Sequence, residues 1–333
     1  MPSEHFQADS AVSLVKMSHS VSVDIGGTTV RVALADAKGN LVSRLSEGSD
    51  RFSGPGGISQ QIIRMIRCLS STRSIRFVGI GSAGPLDISD GTIVHSPQLG
   101  FARIPLVKPL KEELRVPVYL TNDCVAAVIA EKMFGQGRKC KNLVYVTISS
   151  GIGAGVFVDN NLLRGKDGNA HEIGHMTIDH EGKLTCGCGG RGHWEAYCGG
   201  VNASHFIKYQ LESRTRKEIQ TSLLYKASNG DLNKLSSKDL FESAKKGDTI
   251  ASEIVEEMGR LNAVAFANIT NAYDPELITV GGAIALANPS MVLKPIRRLI
   301  RQYSINRIPL IRLTRLGSEI VLYGASMLQR TLK

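Results

Sequence analysis

In "VSVDIGGTTVRVALAD" (21–36), apolar and polar positions alternate on both sides of a Gly-Gly turn. That period of two predicts two strands joined by a tight hairpin, and "AKGN" then turns the chain into a third strand, "LVSRLS" (41–46). A helix is expected over 57–70, followed by a buried strand in "RFVGIGSAG" (76–84). "VPVYLTND" (116–123) reads as a short strand ending in a polar pair, and "CVAAVIAEKMFGQG" (124–137) as a helix closed by glycine.

The pattern then starts again. "LVYVTISSGIGAGVFVDNNLLRG" (143–165) repeats the order apolar strand, small-residue glycine turn, apolar strand, polar turn. Helices are expected over 202–213, 235–246 and 249–273, then a strand in "ELITVGG" (276–282) and a helix near 289–303. The tail "YGASMLQRTL" (323–332) reads as a helix that returns to the first lobe. Two copies of one strand–turn–strand unit imply a duplicated α/β architecture with one copy opening each lobe. No low-complexity linker separates the copies, which favours a hinged pair over two independent domains.

Composition narrows the class. A length of 333 residues suits two domains, and 42% hydrophobic with 21% charged residues is the mix of a globular protein. No apolar run approaches the ~20 residues of a membrane helix. The stretch "AVSLV" in residues 1–16 is too short for a secretory signal, so a cytoplasmic protein without a membrane partner is expected. Residues 1–20 read as a poorly ordered extension, and Met17 is an alternative start. The net charge of +10 raises the question of nucleic acid. Lys294, Arg297, Arg298, Arg301, Arg307, Arg312 and Arg315 occur without an acidic residue among them, but the first four follow helical spacing and describe a solvated face. No aromatic platform accompanies them, and no nucleic-acid partner is expected.

"DIGGTT" (24–29) and "SSGIGAG" (149–155) are the candidate phosphate turns. Glycines let backbone N–H groups approach an anion, Thr28 and Thr29 add hydroxyls, and Asp24 could hold Mg²⁺ directly or through water. An ordinary hairpin would use glycine as well. Gly151, Gly153 and Gly155 lead into a strand, so the second turn is no dinucleotide fingerprint, and no GxxxxGK[ST] occurs. Asp123, at a strand-to-helix junction, is either a site residue or a helix N-cap.

Cys68, Cys124 and Cys140 are scattered and read as buried thiols, whereas Cys186, Cys188 and Cys198 cluster. In a reducing compartment such a cluster argues for metal. Cys186-Gly-Cys188, with His193 five residues on and His175 eleven before, fits a tetrahedral zinc site; the alternative is an unliganded glycine-rich loop. Cys198 and His180 are spare candidates.

Taken together, "DIGGTTVRVALAD", "GSAGPLD", "TNDCVAA", "SSGIGAGV", "HEIGH", "CGCGGRGHWEAY" and "DPELITVGGA" resemble the ROK family of sugar kinases, within the actin-like, hexokinase-like ATPase superfamily. The resemblance runs from about Val21 to the C-terminus. It implies a two-lobed actin-like (ribonuclease H-like) α/β fold with a duplicated βββαβαβα core and a cleft between the lobes. The lobes would be 21–121 plus about 320–333, and 122–319. It also implies that Asp24, Gly26, Gly27, Thr28 and Thr29 form the first phosphate motif, Ser150, Gly151, Gly153 and Gly155 the second, and Gly281 and Gly282 the adenosine motif. Asn122, Asp123, Glu172, His175 and Glu195 would meet the sugar near Gly84, with Asp123 as catalytic base. His175, Cys186 and Cys188 match three zinc ligands. Three departures stand out: His193 replaces a usual cysteine, His171 a usual Gly or Ala, and Gln98 a frequent asparagine.

The expected function is ATP-dependent phosphorylation of the 6-hydroxyl of glucose, N-acetylglucosamine or N-acetylmannosamine, with ATP, Mg²⁺ and structural Zn²⁺, in a homodimer or homotetramer. The alternative is a ROK-type sugar-sensing regulator. Such regulators need an N-terminal winged helix of domain size, and about twenty residues precede the first strand here. A zinc hydrolase is disfavoured, because four ligands leave the metal no open position.

Overall fold

The computed structural model describes residues 19–70, 74–96 and 99–332. Residues 1–18 of the expected extension, and Gln98, lie outside the described residues. The hairpin pattern folds as β1 (His19–Ile25), β2 (Thr29–Ala35) and β3 (Leu41–Gly48), followed by α1 (Gly57–Ser70) and β4 (Ile75–Ser82). Next, β5 (Leu86–Asp87), β6 (Thr92–Ser96) and β7 (Phe101–Pro105) make a small separate antiparallel sheet. α2 (Val107–Leu114) then leads to β8 (Val118–Asn122), which completes the first sheet in the order β3-β2-β1-β4-β8.

After α3 (Asp123–Met133), the second sheet is built from β9 (Leu143–Ile148), β10 (Ile152–Val158), β11 (Asn161–Leu162), β12 (Leu277–Gly281) and β13 (Leu310–Leu313). Its order, β11-β10-β9-β12-β13, repeats that of the first sheet. In both, the founding strand is central, pairs antiparallel with the next strand, and pairs parallel with the strand that returns.

Each sheet has its own core. Val21, Val23, Ile80, Ile58, Ile62 and Met65 pack between the first sheet and α1; each such side chain contributes ~1.5–3 kcal/mol on burial. Val144, Val146, Trp194, Phe206 and Phe266 belong to the second. A third cluster joins them, with Cys124 and Val128 of α3 against Tyr145, Ile320 and Leu328.

The expected tail helix is two pieces, Ile320–Ala325 and Leu328–Thr331, and the first crosses α3 closely. A Cβ on Gly324 would stand 1.7 Å from the Ala126 carbonyl oxygen, so only glycine fits there. The helix expected over 124–137 stops at Met133, and that near 289–303 is Pro289–Leu299 continued by a 3-10 turn, Ile300–Gln302. Its residues Lys294, Arg297, Arg298 and Arg301 are all exposed, and Arg298 pairs with Glu256. Cys124 is buried and Cys140 partly so, but Cys68 is exposed: it lies on the outer face of α1, two residues on from buried Ile66.

Candidate active site

The parallel strands β1, β4 and β8 end together. Ile25 is level with Ser82, and Ser82 with Asn122, so Asp123 emerges two strands from the first glycine turn, about 10 Å at normal strand spacing. The junction resolves the question of the cap. Asn122 is the N-cap, its Oδ1 accepting from Cys124 N at 2.8 Å and Val125 N at 3.4 Å. Asp123 is the first helical residue, and its Oδ1 accepts from Cys124 N at 2.8 Å. Burial pushes the Asp123 carboxyl above its usual range, partly opposed by hydrogen bonds from the Cys124 thiol and backbone N–H and by nearby His171. Gly84 sits beside this junction, where a Cβ would lie 3.8 Å from Asn122 Nδ2.

Asp24, at the end of β1, is 5% exposed and paired with Arg31 at 2.6 Å, directly across the hairpin. Burial raises its carboxyl to about 7; Arg31 lowers it and Asp123 raises it further. Arg31 also donates to the Ser318 carbonyl at 2.6 Å, linking the hairpin to the segment that precedes helix Ile320–Ala325. No sequence motif signalled that link.

The two glycine turns differ in detail. In the first, Gly26 N donates to Thr29 O at 2.9 Å. The following loop then reaches back: Ser49 Oγ donates to Gly26 O, Arg51 Nη2 to Gly27 O and Ser49 N to Thr28 O. A Cβ on Gly26 would meet only Thr29 O, at an ordinary 3.4 Å. In the second, Gly200 N donates to Ser149 O at 2.8 Å and Val201 N to Ser150 O at 2.9 Å. Here the glycines make room for protein. A Cβ would stand 2.7 Å from Glu195 Oε2 on Gly151, 2.9 Å from Cys124 Sγ on Gly153 and 2.2 Å from Cys124 O on Gly155. Gly281 is bare because Tyr145 Oη would be 2.4 Å from its Cβ, and Gly282 has φ +88°. With ψ 154° that is a conformation only glycine adopts readily.

His175, Cys186, Cys188 and His193 converge, with one ligand atom from each lying within 4.8 Å of all the others. His175 Nδ1 is 3.8 Å from Cys186 Sγ, and His193 Nδ1 is 3.3 Å from Cys188 Sγ. The loop is pinned by Cys186 N to Gly190 O and Gly189 N to Cys186 O, each 2.8 Å, with Gly189 at φ +89°. A set of two imidazoles and two thiols fits tetrahedral zinc in number and chemistry. Burial lowers the His193 imidazole, which favours the neutral ligand form.

The other ring nitrogen of His175, Nε2, is 3.7 Å from Glu172. Glu195 connects the cluster to the second turn: Oε1 is 3.8 Å from Cys186 Sγ, and Oε2 accepts from Ile152 N at 2.7 Å. His171 is 2% exposed, with Nε2 3.0 Å from Gly168 O. The spare candidates stay apart: Cys198 is buried against Met258 O, and His180 is exposed.

The ROK family model matches residues 20–331, nearly the whole described chain. The chain belongs to the ROK family. A relative, the glucokinase of Pyrobaculum calidifontis, is 37% identical over 312 residues, covering 94% of this chain and 95% of its own. A ROK-family glucokinase from Streptomyces griseus, solved in complex with glucose and AMPPNP, superposes with a TM-score of 0.77 at 28% identity; the match covers 93% of this chain and 99% of that one. The xylose repressor of Bacillus subtilis is also similar, 31% identical over 288 residues, with 85% of this chain matched to 68% of the repressor.

Proposed function

We propose that this ROK protein is an ATP-dependent glucokinase, in which Asp123 takes the proton from the sugar 6-hydroxyl as that oxygen attacks the γ-phosphorus. The relatives support the class of reaction: one is a glucokinase, and a structural neighbour holds glucose with the ATP analogue AMPPNP. The observation that carries the residue assignment is the division of labour at the end of β8. Asn122 takes the helix cap, so the Asp123 carboxylate is not spent as the cap, and its Oδ1 accepts from Cys124 N. Burial raises its proton affinity toward what a general base at neutral pH needs.

In this reading the bond from oxygen to the γ-phosphorus forms, the bond to the β-γ bridging oxygen breaks, ADP leaves, and the proton rests on Asp123. Gly26, Gly27, Thr28 and Thr29 and the second turn at Ser150 and Gly151 hold the phosphates, with Gly281 and Gly282 beside the adenosine. Mg²⁺ held by Asp24, directly or through water, would neutralise charge on the triphosphate; a buried carboxylate at the turn fits that group. Gly153 and Gly155 act at one remove, by seating α3 and hence Asp123.

Zinc held by His175, Cys186, Cys188 and His193 would be structural, since four ligands close its coordination. With Nδ1 toward the metal, His175 offers Nε2, beside Glu172, as a fixed donor to the sugar. Asn122 Nδ2 and Glu172 complete the polar contacts, and Glu195 ties this loop to the second turn. Buried His171 adds fixed bulk beside Glu172, which favours glucose over 2-acetamido sugars.

The test is an ATP-coupled assay over glucose, mannose, N-acetylglucosamine and N-acetylmannosamine. Turnover highest on glucose supports the reading, turnover highest on an N-acetylated sugar corrects the substrate, and no turnover on any sugar removes it. The repressor likeness favours a second reading, a sugar sensor without kinase activity. Sugar binding without ATP binding would be its signature.

A further inference from the structure

Building on the kinase reading, we propose that Ser49 and Arg51, which no phosphate motif includes, form a carbonyl clamp that makes the first glycine turn an anion site. A glycine-rich turn can present either edge of its peptides. Carbonyl oxygens repel phosphate and N–H groups bind it, so the turn must hide the first and expose the second. In a trans peptide, C=O and N–H point to opposite sides. Fixing the carbonyl of one residue therefore aims the N–H of the next.

The loop after β3 fixes three in a row. Ser49 Oγ holds Gly26 O at 3.0 Å, the Arg51 guanidinium holds Gly27 O, and Ser49 N holds Thr28 O at 3.0 Å. The N–H groups of Gly27 and Thr28 then point away from the loop, and among the described residues no acceptor takes either of them. The loop is itself anchored. Asp50 N donates to Gln61 Oε1 of α1 at 3.1 Å, and Asp50 Oδ1 accepts from Phe52 N and Ser53 N at 3.0 Å each.

The second turn supplies an independent instance. Its carbonyls at Ser149 and Ser150 are held in the same way, but by the backbone N–H groups of Gly200 and Val201. Duplication thus gives both turns the same orientation by different donors, and at the first turn two of the three holding bonds come from side chains. Arg51 acts through the peptide it holds: it stands on the carbonyl side, opposite the ligand. Its charge strengthens the bond and polarises the Gly27–Thr28 peptide, making the Thr28 N–H a better donor.

Calorimetry with ATP, adenosine and glucose on the full chain tests this, alongside steady-state kinetics. Arg51→Ala should raise the dissociation constant for ATP about tenfold or more, the scale of a lost charge-assisted hydrogen bond. Affinity for adenosine and for glucose should stay within twofold, and the Michaelis constant for ATP should rise more than kcat falls. Arg51→Lys, which keeps a charged donor, should recover most of the ATP affinity. Ser49→Ala should show a smaller loss with the same selectivity, and it covers the case in which Arg51→Ala does not fold. Equal ATP affinity in wild type, Arg51→Ala and Ser49→Ala overturns the clamp and leaves the kinase reading standing. Losses of ATP, adenosine and glucose binding in equal measure overturn it too, since they report a general loosening of the lobe. A wild-type protein that binds no ATP overturns both.

Discussion

The turns at Gly26–Thr29 and Ser149–Gly155 look alike in sequence and differ in what their glycines are for. At the first, a side chain on Gly26 would meet only one carbonyl, at a comfortable 3.4 Å. At the second, Gly153 and Gly155 lie against Cys124 of α3, and Gly151 against the Glu195 carboxylate. The same residue type thus stands uncrowded in one place and tight against a helix in the other. A glycine motif alone does not tell the two apart; the neighbour that would collide with a Cβ does.

The largest effect expected bears on what α3 delivers. Asp123→Asn should keep glucose binding and lose turnover by ~10²–10⁴-fold, the range for removing a general base. In the wild type, kcat/KM should fall as pH drops through a value above the usual carboxylate range, because burial raises the Asp123 carboxyl and only its ionised form accepts the proton. Turnover of Asp123→Asn within a few-fold of wild type would remove the residue from that role.

Gly155→Val comes next. Its Cβ would press on backbone, the Cys124 carbonyl oxygen at 2.2 Å, which cannot swing aside. A loss of about 3 kcal/mol or more is expected in denaturant unfolding, at the upper end for overpacking. A stable, fully active Gly155→Val would show that α3 can move, and that the second turn is less constrained than its contacts indicate.

Cys186→Ser should have a milder effect. Zinc content should fall well below one per chain, stability should drop, and the Michaelis constant for sugar should rise several-fold with ATP binding nearly unchanged. The reason is that His175 and Glu195 both depend on the loop that Cys186 anchors. Wild-type protein with well under one zinc per chain, active after chelation, would contradict the zinc assignment.

Much of this was legible in advance, for identifiable reasons. The hairpins and their duplication follow from alternation and glycine, which are local signals. The convergence of His175, Cys186, Cys188 and His193 was readable because the four residues fall within nineteen positions and share metal-ligand chemistry. The sheet β5–β7 was not, since strands of two and five residues broken by proline and glycine carry too little periodicity. Nor was the roles' separation at Asn122 and Asp123: both residue types cap helices well, and only the backbone decides which one does. The hold of Ser49 and Arg51 on the first turn left no trace either, because it joins side chains to backbone carbonyls some twenty residues away.

The division of labour between the turns is tested most directly by one paired measurement, ATP affinity and melting temperature for Gly27→Val and Gly153→Val. Gly27→Val should weaken ATP binding at least about tenfold, by crowding the N–H groups proposed to face the phosphates, while melting close to wild type and binding glucose normally. Gly153→Val should melt several degrees lower, because its side chain meets Cys124, and the folded protein should bind ATP nearly as well as wild type. The opposite result, with Gly153→Val losing ATP at an unchanged melting temperature and Gly27→Val losing stability alone, would contradict it.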